Sequence, residues 1–413
     1  MILNWSAVSL EIAALGMGLL LLVLGLISSS LRTKPVMGYL SLIGLIALLV
    51  GSFCLPHSGT ETFLNSFYVQ DDLALFFKQL FIVSALLVTT TALYYRGDFF
   101  ALIFFALTGM MIMASAKEFI TLYMGLELMT LTFVLLTTYK KHDLKSGEAG
   151  LKYILLSAVS SGILLYGISL LYGLTGTLDF TSMIATFHVT GSSPLLVWGI
   201  VMILSGLAFK LSLVPFHMWT PDIYEGAPTP ITAFLSIGSK AAGFVAFIRI
   251  FFHVFAIFTP IFMPLLIGLT VLTLVVGNLI AIAQTHLKRL LAYSGIAHAG
   301  YILLGVIAYS KMGLSAILFY LLLYLFANIG AFAAVTALMM QTGHDRIGDL
   351  SGLWKRAPFV SSVLLISLLS LAGIPPTAGF IGKFYLFAEI IRQGHLGLAV
   401  IALGMSLVAI YYY

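Results

Sequence analysis

The stretch FKLSLVPFHMWTPDIYEGAPTP, residues 209–230, starts inside an apolar segment and carries four prolines, Pro215, Pro221, Pro228 and Pro230. A proline has no amide hydrogen to donate and its ring clashes with the preceding turn, so a helix entering here must stop soon after Lys210. Carbonyls freed at membrane depth are tolerated only where they are buried in protein or line a wet cavity. A second stretch, LAGIPPTAGFIGKF (residues 371–384), repeats the device with Gly373, Pro375, Pro376 and Gly379, and Lys383 follows the interruption. Five spans separate the two breaks. Spans four to eight and nine to thirteen then form two five-helix units, and an odd number of crossings inverts the second. Paired broken helices in inverted repeats are the sequence pointer to a transport site.

The remainder of the chain agrees with a membrane reading. Of its 413 residues, 61% are hydrophobic and 8% charged, with a mean hydropathy of +1.11. A soluble domain carries about 25% charged residues. Soluble and disordered classes are therefore excluded. The single cysteine, Cys54, excludes a disulfide framework and cysteine-ligated zinc or iron–sulfur centres. Thirteen apolar segments follow: 9–29, 36–55, 73–95, 99–115, 118–139, 149–172, 195–214, 229–251, 260–283, 286–308, 313–340, 359–392 and 394–413. The expected class is an all-α polytopic membrane protein with about 13 transmembrane helices and two inverted five-helix repeats, each with a broken helix. Residues 1–98 form an N-terminal three-helix segment, 99–251 the first repeat and 252–413 the second.

The first apolar run lacks a basic flank and a small-residue cleavage site, so it reads as a retained span. With the N-terminus outside, eleven basic residues fall on cytoplasmic loops and span edges, including Arg32, Arg96, Lys140, Lys288 and Arg346. Four fall on the other side: Lys117, Arg249, Lys311 and Arg392. This bias sets the expected orientation.

Five lysines remain inside spans, namely Lys78, Lys152, Lys210, Lys240 and Lys383, together with one deep acid, Glu127. A charge at the bilayer centre costs about 2.5–3.5 kcal/mol on insertion scales. Glu127, Lys210, Lys240 and Lys383 facing lipid would together cost on the order of 10 kcal/mol, comparable to the whole stability of a domain. They must face one another, water or backbone carbonyls. An apolar interior disfavours an ammonium and a nearby carboxylate favours it, so a lysine held between these influences can load and release a proton. Each residue also has a plainer reading. Lys78, near a span end, snorkels to the interface. Lys152 either snorkels or joins the charged row. Lys383 caps carbonyls freed at its break, and Glu127 with Lys210 forms a packing ion pair. His298 and His217 are further titrating candidates, with hydrogen-bonded structural roles as the alternative. Neither a dinucleotide fingerprint nor a Walker motif is present.

At GLELMTL, FKLSLVPFHMWTPDIYEGAPTP, HLKRLLAYSGIAHAGY and LSLAGIPPTAGFIGKFY the chain resembles the antiporter-like membrane subunits of respiratory complex I, the proton-pumping NADH–quinone oxidoreductase. Within that family it is most similar to the subunit N branch, counterpart of mitochondrial subunit 2. The likeness extends from about residue 70 to the end. It implies that Glu127 and Lys210 form the family's Glu–Lys pair, that Lys240 is the central-axis lysine and that Lys383 is the terminal relay lysine. Lys152 matches an additional lysine on the sixth span, and His298 a polar position of the central axis. It also implies no cofactor in this chain, with NAD, FMN, iron–sulfur clusters and quinone held elsewhere in the wider complex. The partners would be other membrane-arm subunits and the lipid bilayer, with no nucleic acid. The location would be a bacterial-type inner (cell) membrane. The family has one span more than the thirteen counted here, so the final helix is expected to be missing. A subunit of a multi-subunit cation/proton antiporter is the alternative, and a passive scaffold a third.

Overall fold

The computed structural model describes residues 5–27, 34–55, 61–63 and 67–413; Arg32 lies outside them. The chain is helical almost throughout. It opens with α1 (Ser9–Ile27) and α2 (Lys34–Cys54). A short antiparallel pair follows, β1 (Glu61–Phe63) on β2 (Tyr68–Gln70), with Glu61 opposite Gln70. Then come α3 (Asp72–Thr90), α4 (Gly97–Ser115), α5 (Phe119–Thr137) and α6 (Leu144–Thr175). Next are α7 (Phe180–Thr190), α8 (Pro194–Lys210), α9 (Trp219–Gly226), α10 (Thr229–Phe234) and α11 (Lys240–Ile248). The chain continues through α12 (Thr259–Ile282), α13 (Leu287–Ile307), α14 (Lys311–Thr342) and α15 (Leu353–Arg356). It finishes with α16 (Pro358–Ala372), α17 (Ala378–Arg392) and α18 (Leu396–Tyr412).

Ten helical stretches among the described residues are long and apolar enough to cross a bilayer. The other three expected spans are shorter. Two are α8 and α18; the third, 359–392, is split into α16 and α17. Lipid as solvent explains the exposed face of α6, where Leu151, Leu155, Val159 and Tyr166 point outward. Such a patch would be an aggregation hazard in water. Helix ends follow local chemistry. The Asp71 carboxylate accepts from the amide of Ala74 and starts α3, and Ser310 does the same for α14. Gly176 and Gly343, both at positive φ, end α6 and α14.

The chain forms two compact units. The first comprises Met1–Leu207 with Gly238–Phe258, the second Ala208–Ile237 with Thr259–Tyr413. In the first unit α4 and α5 pack through Gly109 and Gly125. A Cβ on Gly109 would lie 2.6 Å from the Met129 nitrogen, so only glycine permits this approach. In the second unit α13 is buried nearly throughout, Arg289 excepted, so its polar residues Lys288, Ser294 and His298 must find partners inside the protein.

The structure departs from the sequence reading in several places. The hairpin and α7 occupy connections that the hydropathy pattern left blank. Two π-helical turns, Leu235–Ser239 and Arg249–Val254, bracket α11 inside one span. Lys78 does not snorkel. It is fully buried, its ammonium 2.8 Å from the Glu11 carboxylate and hydrogen-bonded to Gln70. A neighbouring acid on α1, invisible to a span-by-span reading, removes the need to reach the interface. Arg249 and Lys288, counted as span-edge charges, are also buried.

Candidate proton-relay site

In the first unit, Glu127 on α5 is half-buried and accepts a hydrogen bond from the Ser161 hydroxyl on α6. Its carboxylate also acts electrostatically on the phenols of Tyr123 and Tyr153. Tyr153, fully buried on α6, interacts in turn with Ser239, the residue before Lys240. Lys240 is itself buried and opens α11 directly after the π-helical turn. A π turn widens the helix by one residue and recurs at functional positions. Glu127, Tyr153 and Ser239 thus form one polar group, and Lys240 follows directly in the chain. The Lys152 side chain, also on α6, is 42% exposed and pairs with Glu148 at 2.8 Å one turn away, an arrangement of the snorkelling kind.

In the second unit the first break is built as the prolines require. Lys210 is the last residue of α8, buried, with its ammonium 5.8 Å from the centre of the Phe209 ring. Ser212 turns the chain at φ 60°, and the Thr220 hydroxyl donates to its side chain. The indole N–H of Trp219 donates to the Phe209 carbonyl at 2.9 Å, and the Thr273 hydroxyl accepts from the Val214 amide at 3.0 Å. The far end of α9 is held from α13. The Lys288 ammonium donates to the carbonyls of Glu225 and Ala227, both at 2.7 Å, and Arg289 pairs with Asp222 and Glu225 at 3.0 Å. His217 sits inside this break with its ring 6.5 Å from that of Tyr293.

The second break runs from Ala372 to Ala378 and turns on Gly373 at φ 80°. The Lys383 ammonium donates to the freed carbonyl of Ala372 at 2.8 Å and to the Ser406 hydroxyl at 3.1 Å. It also lies 4.7 Å from the centre of the Tyr301 ring. Capping a freed carbonyl and holding a buried charge are therefore one arrangement here. Near Lys383, His298 uses both ring nitrogens. Nδ1 is 2.6 Å from the Tyr320 hydroxyl and Nε2 3.2 Å from that of Tyr413, which in turn bonds Ser294. Asn278 joins the Tyr412 hydroxyl (3.0 Å) to that of Tyr301 (3.4 Å). Tyr301 thus links this hydroxyl-rich group to the lysine at the break.

Hydrogen-bonded hydroxyls, an imidazole with both nitrogens engaged and buried ammonium groups can pass protons. Among the described residues no group of three or more His, Cys, Asp and Glu could hold a metal ion. Sequence reasoning missed the neutral members, Ser161, Tyr153, Asn278, Tyr320 and Tyr413. A polar side chain in hydrocarbon also costs free energy unless bonded, so Asn278 was findable by the rule that found the lysines.

Residues 116–409 match the family model described as NADH:quinone oxidoreductase/Mrp antiporter, TM. A curated protein of Moorella thermoacetica, "NADH-quinone oxidoreductase subunit N", is 46% identical over 99% of this chain and 87% of its own length. The chain belongs to the NADH-quinone oxidoreductase subunit N family. A chain of the respiratory complex I of Thermus thermophilus with bound aureothin superposes at a TM-score of 0.82, with 34% identity, over 98% of this chain and 88% of that one. A chain of the Mrp complex of Dietzia sp. DQ12-45-1b shares the fold at a TM-score of 0.85, with 24% identity, over 99% of this chain and 79% of that one. As a member of the subunit N family the chain is a multi-pass, mostly helical membrane protein, as the sequence reading expects.

Proposed function

We propose that the chain is a proton-translocating membrane-arm subunit of a NADH–quinone oxidoreductase. It relays protons through Glu127, Lys210, Lys240, Lys383 and His298, coupled to redox chemistry in other subunits. The observation that carries this reading is the pair of helix breaks, each beside a buried lysine, in a member of the subunit N family. Buried charges kept at such cost are functional by default. In this reading NAD, FMN, iron–sulfur clusters and quinone belong to partner subunits. Residues 99–251 and 252–413 are the two inverted repeats, following 1–98. The N-terminus faces the outside of a bacterial-type inner membrane. Lys152 serves as an accessory lysine at the protein surface.

Redox turnover in the partners shifts charge or hydration along the arm. The Glu127 carboxylate then changes its electrostatic influence on the lysines, and a proton steps between them. The test is NADH-driven proton uptake by membrane vesicles carrying Lys210→Ala or Glu127→Ala in the assembled complex. Uptake should fall at least tenfold with assembly retained, and normal uptake in assembled variants contradicts the proposal. The family description also covers Mrp antiporters. Sodium-dependent proton exchange, without co-purifying NADH-oxidising subunits, would favour that second reading.

A further inference from the structure

Away from the relay residues, the first unit holds a second cluster of buried charges where α1, β2, α3, α4 and α11 converge. Two ion pairs make it up, and they differ in kind. Arg249 is bonded through all three guanidinium nitrogens. Its guanidinium meets both oxygens of Asp71 at 2.7 and 3.1 Å, and its Nε donates to the Ala114 carbonyl. The second pair is Lys78 with Glu11. Their nearest atoms are 2.8 Å apart, yet the contact lies outside hydrogen-bond geometry. Among the described residues, both Glu11 oxygens, the hydroxyls of Tyr68 and Ser115 and the Gln70 side-chain nitrogen are buried without a hydrogen bond of good geometry. Tyr68 nevertheless lies close enough to Glu11 and Ser115 to interact, and the Lys78 ammonium is 5.3 Å from its ring centre.

A packing ion pair gains only when its remaining lone pairs and protons are satisfied. Among the described residues Glu11 does not meet that condition, and five such polar atoms are gathered at one buried place. The cluster is also well placed. Lys240 and Arg249 share one span, nine residues apart, which is about 14 Å of helix. Lys78 lies seven residues into the chain from Asp71, about 10 Å. Helix α11 packs on α3, so Lys78 and Lys240 lie on neighbouring helices. Asp71, partly exposed, marks the way to the surface.

We propose that Glu11 and Lys78, with Tyr68 and Ser115, form a further proton-exchanging site of this chain, joining Lys240 to the face at which α3 begins. The Arg249–Asp71 pair is its fixed electrostatic wall. This inference rests on the reading of the chain as a proton-translocating subunit.

Three variants in the assembled membrane complex test it: Lys78→Arg, Glu11→Gln and the double change Glu11→Leu with Lys78→Met. Lys240→Ala serves as the control. Arginine keeps the charge and an ion pair but does not release its proton. NADH-driven proton uptake should fall at least threefold in Lys78→Arg and Glu11→Gln, with the complex intact. The double change removes both charges, which a packing pair tolerates and a proton site does not. It should assemble and remain defective. Wild-type uptake in Lys78→Arg or in the double variant overturns the inference, as does failure of all three to assemble. If Lys240→Ala also pumps normally, the reading of the chain itself has failed.

Discussion

Replacing Arg249 by methionine keeps the length of the side chain and removes its charge. In the native structure the guanidinium is 7% exposed and Asp71 28% exposed. Breaking a buried pair by deleting one partner costs about 3–5 kcal/mol. Solvent reaches Asp71 and recovers part of this, and the Ala114 carbonyl loses its donor, leaving about 2–4 kcal/mol. Such a change multiplies the population of the locally open state by about 30 to 1,000. The opening can be read by thiol labelling. Cys54 is exposed and is first changed to serine; a reporter cysteine then replaces Ser115, buried at the end of α4 beside Ala114. When opening and closing are fast relative to labelling, the rate follows the open population. The Arg249→Met background should label Ser115→Cys at least thirtyfold faster. Adding Asp71→Asn should restore part of the protection, because the orphaned carboxylate is gone. A change below threefold, or strict additivity of the two substitutions, would refute the argument that this pair holds α3, α4 and α11 together.

Two further outcomes concern the second break and a loop. A Cβ on Gly379 would lie 1.7 Å from the Ser370 carbonyl oxygen, so Gly379→Ala should force α16 and α17 apart. The expected cost is about 3 kcal/mol or more, visible as loss of the chain from the solubilised complex at a lower temperature; unchanged retention would count against the close approach. Outside the spans, burial and the hydrogen bond to Asp98 push the Tyr139 phenol above its ordinary range. A raised folded-state value means its contribution is fully present below pH about 10 and is lost as pH rises through that higher value. Tyr139→Phe should therefore cost about 1 kcal/mol at neutral pH, and the gap to wild type should narrow in thermal melts above pH 10. A constant gap would show that the bond is irrelevant.

Much of this architecture was legible because a bilayer admits few solutions. An apolar run long enough to cross must be helical, since no water satisfies its backbone. The breaks were legible for a related reason: Pro215 and Pro375–Pro376 forbid the regular ladder, and α8 and α16 end where the residues say they must. Lys210, Lys240 and Lys383 announced themselves by their cost in hydrocarbon, and all three are buried. Lys78 was misread because its depth was judged along one helix, while Glu11 approaches from another. Lys152 could not be settled until the facing of α6 was known.

The sequence by itself determined the solvent, the helices, the two interruptions and the ionisable groups too expensive to face lipid. Each of these follows from local composition and the spacing of residues along one segment. Only the tertiary structure decided which carbonyl receives the Lys383 ammonium, which hydroxyls flank His298 and which acid meets Lys78. Those partners are brought together across 11 to 115 positions of the chain, or come from separate helices. A hydrogen bond needs its partners within about 3 Å, so partnership is a property of packing, and hydropathy along a single helix carries no record of it.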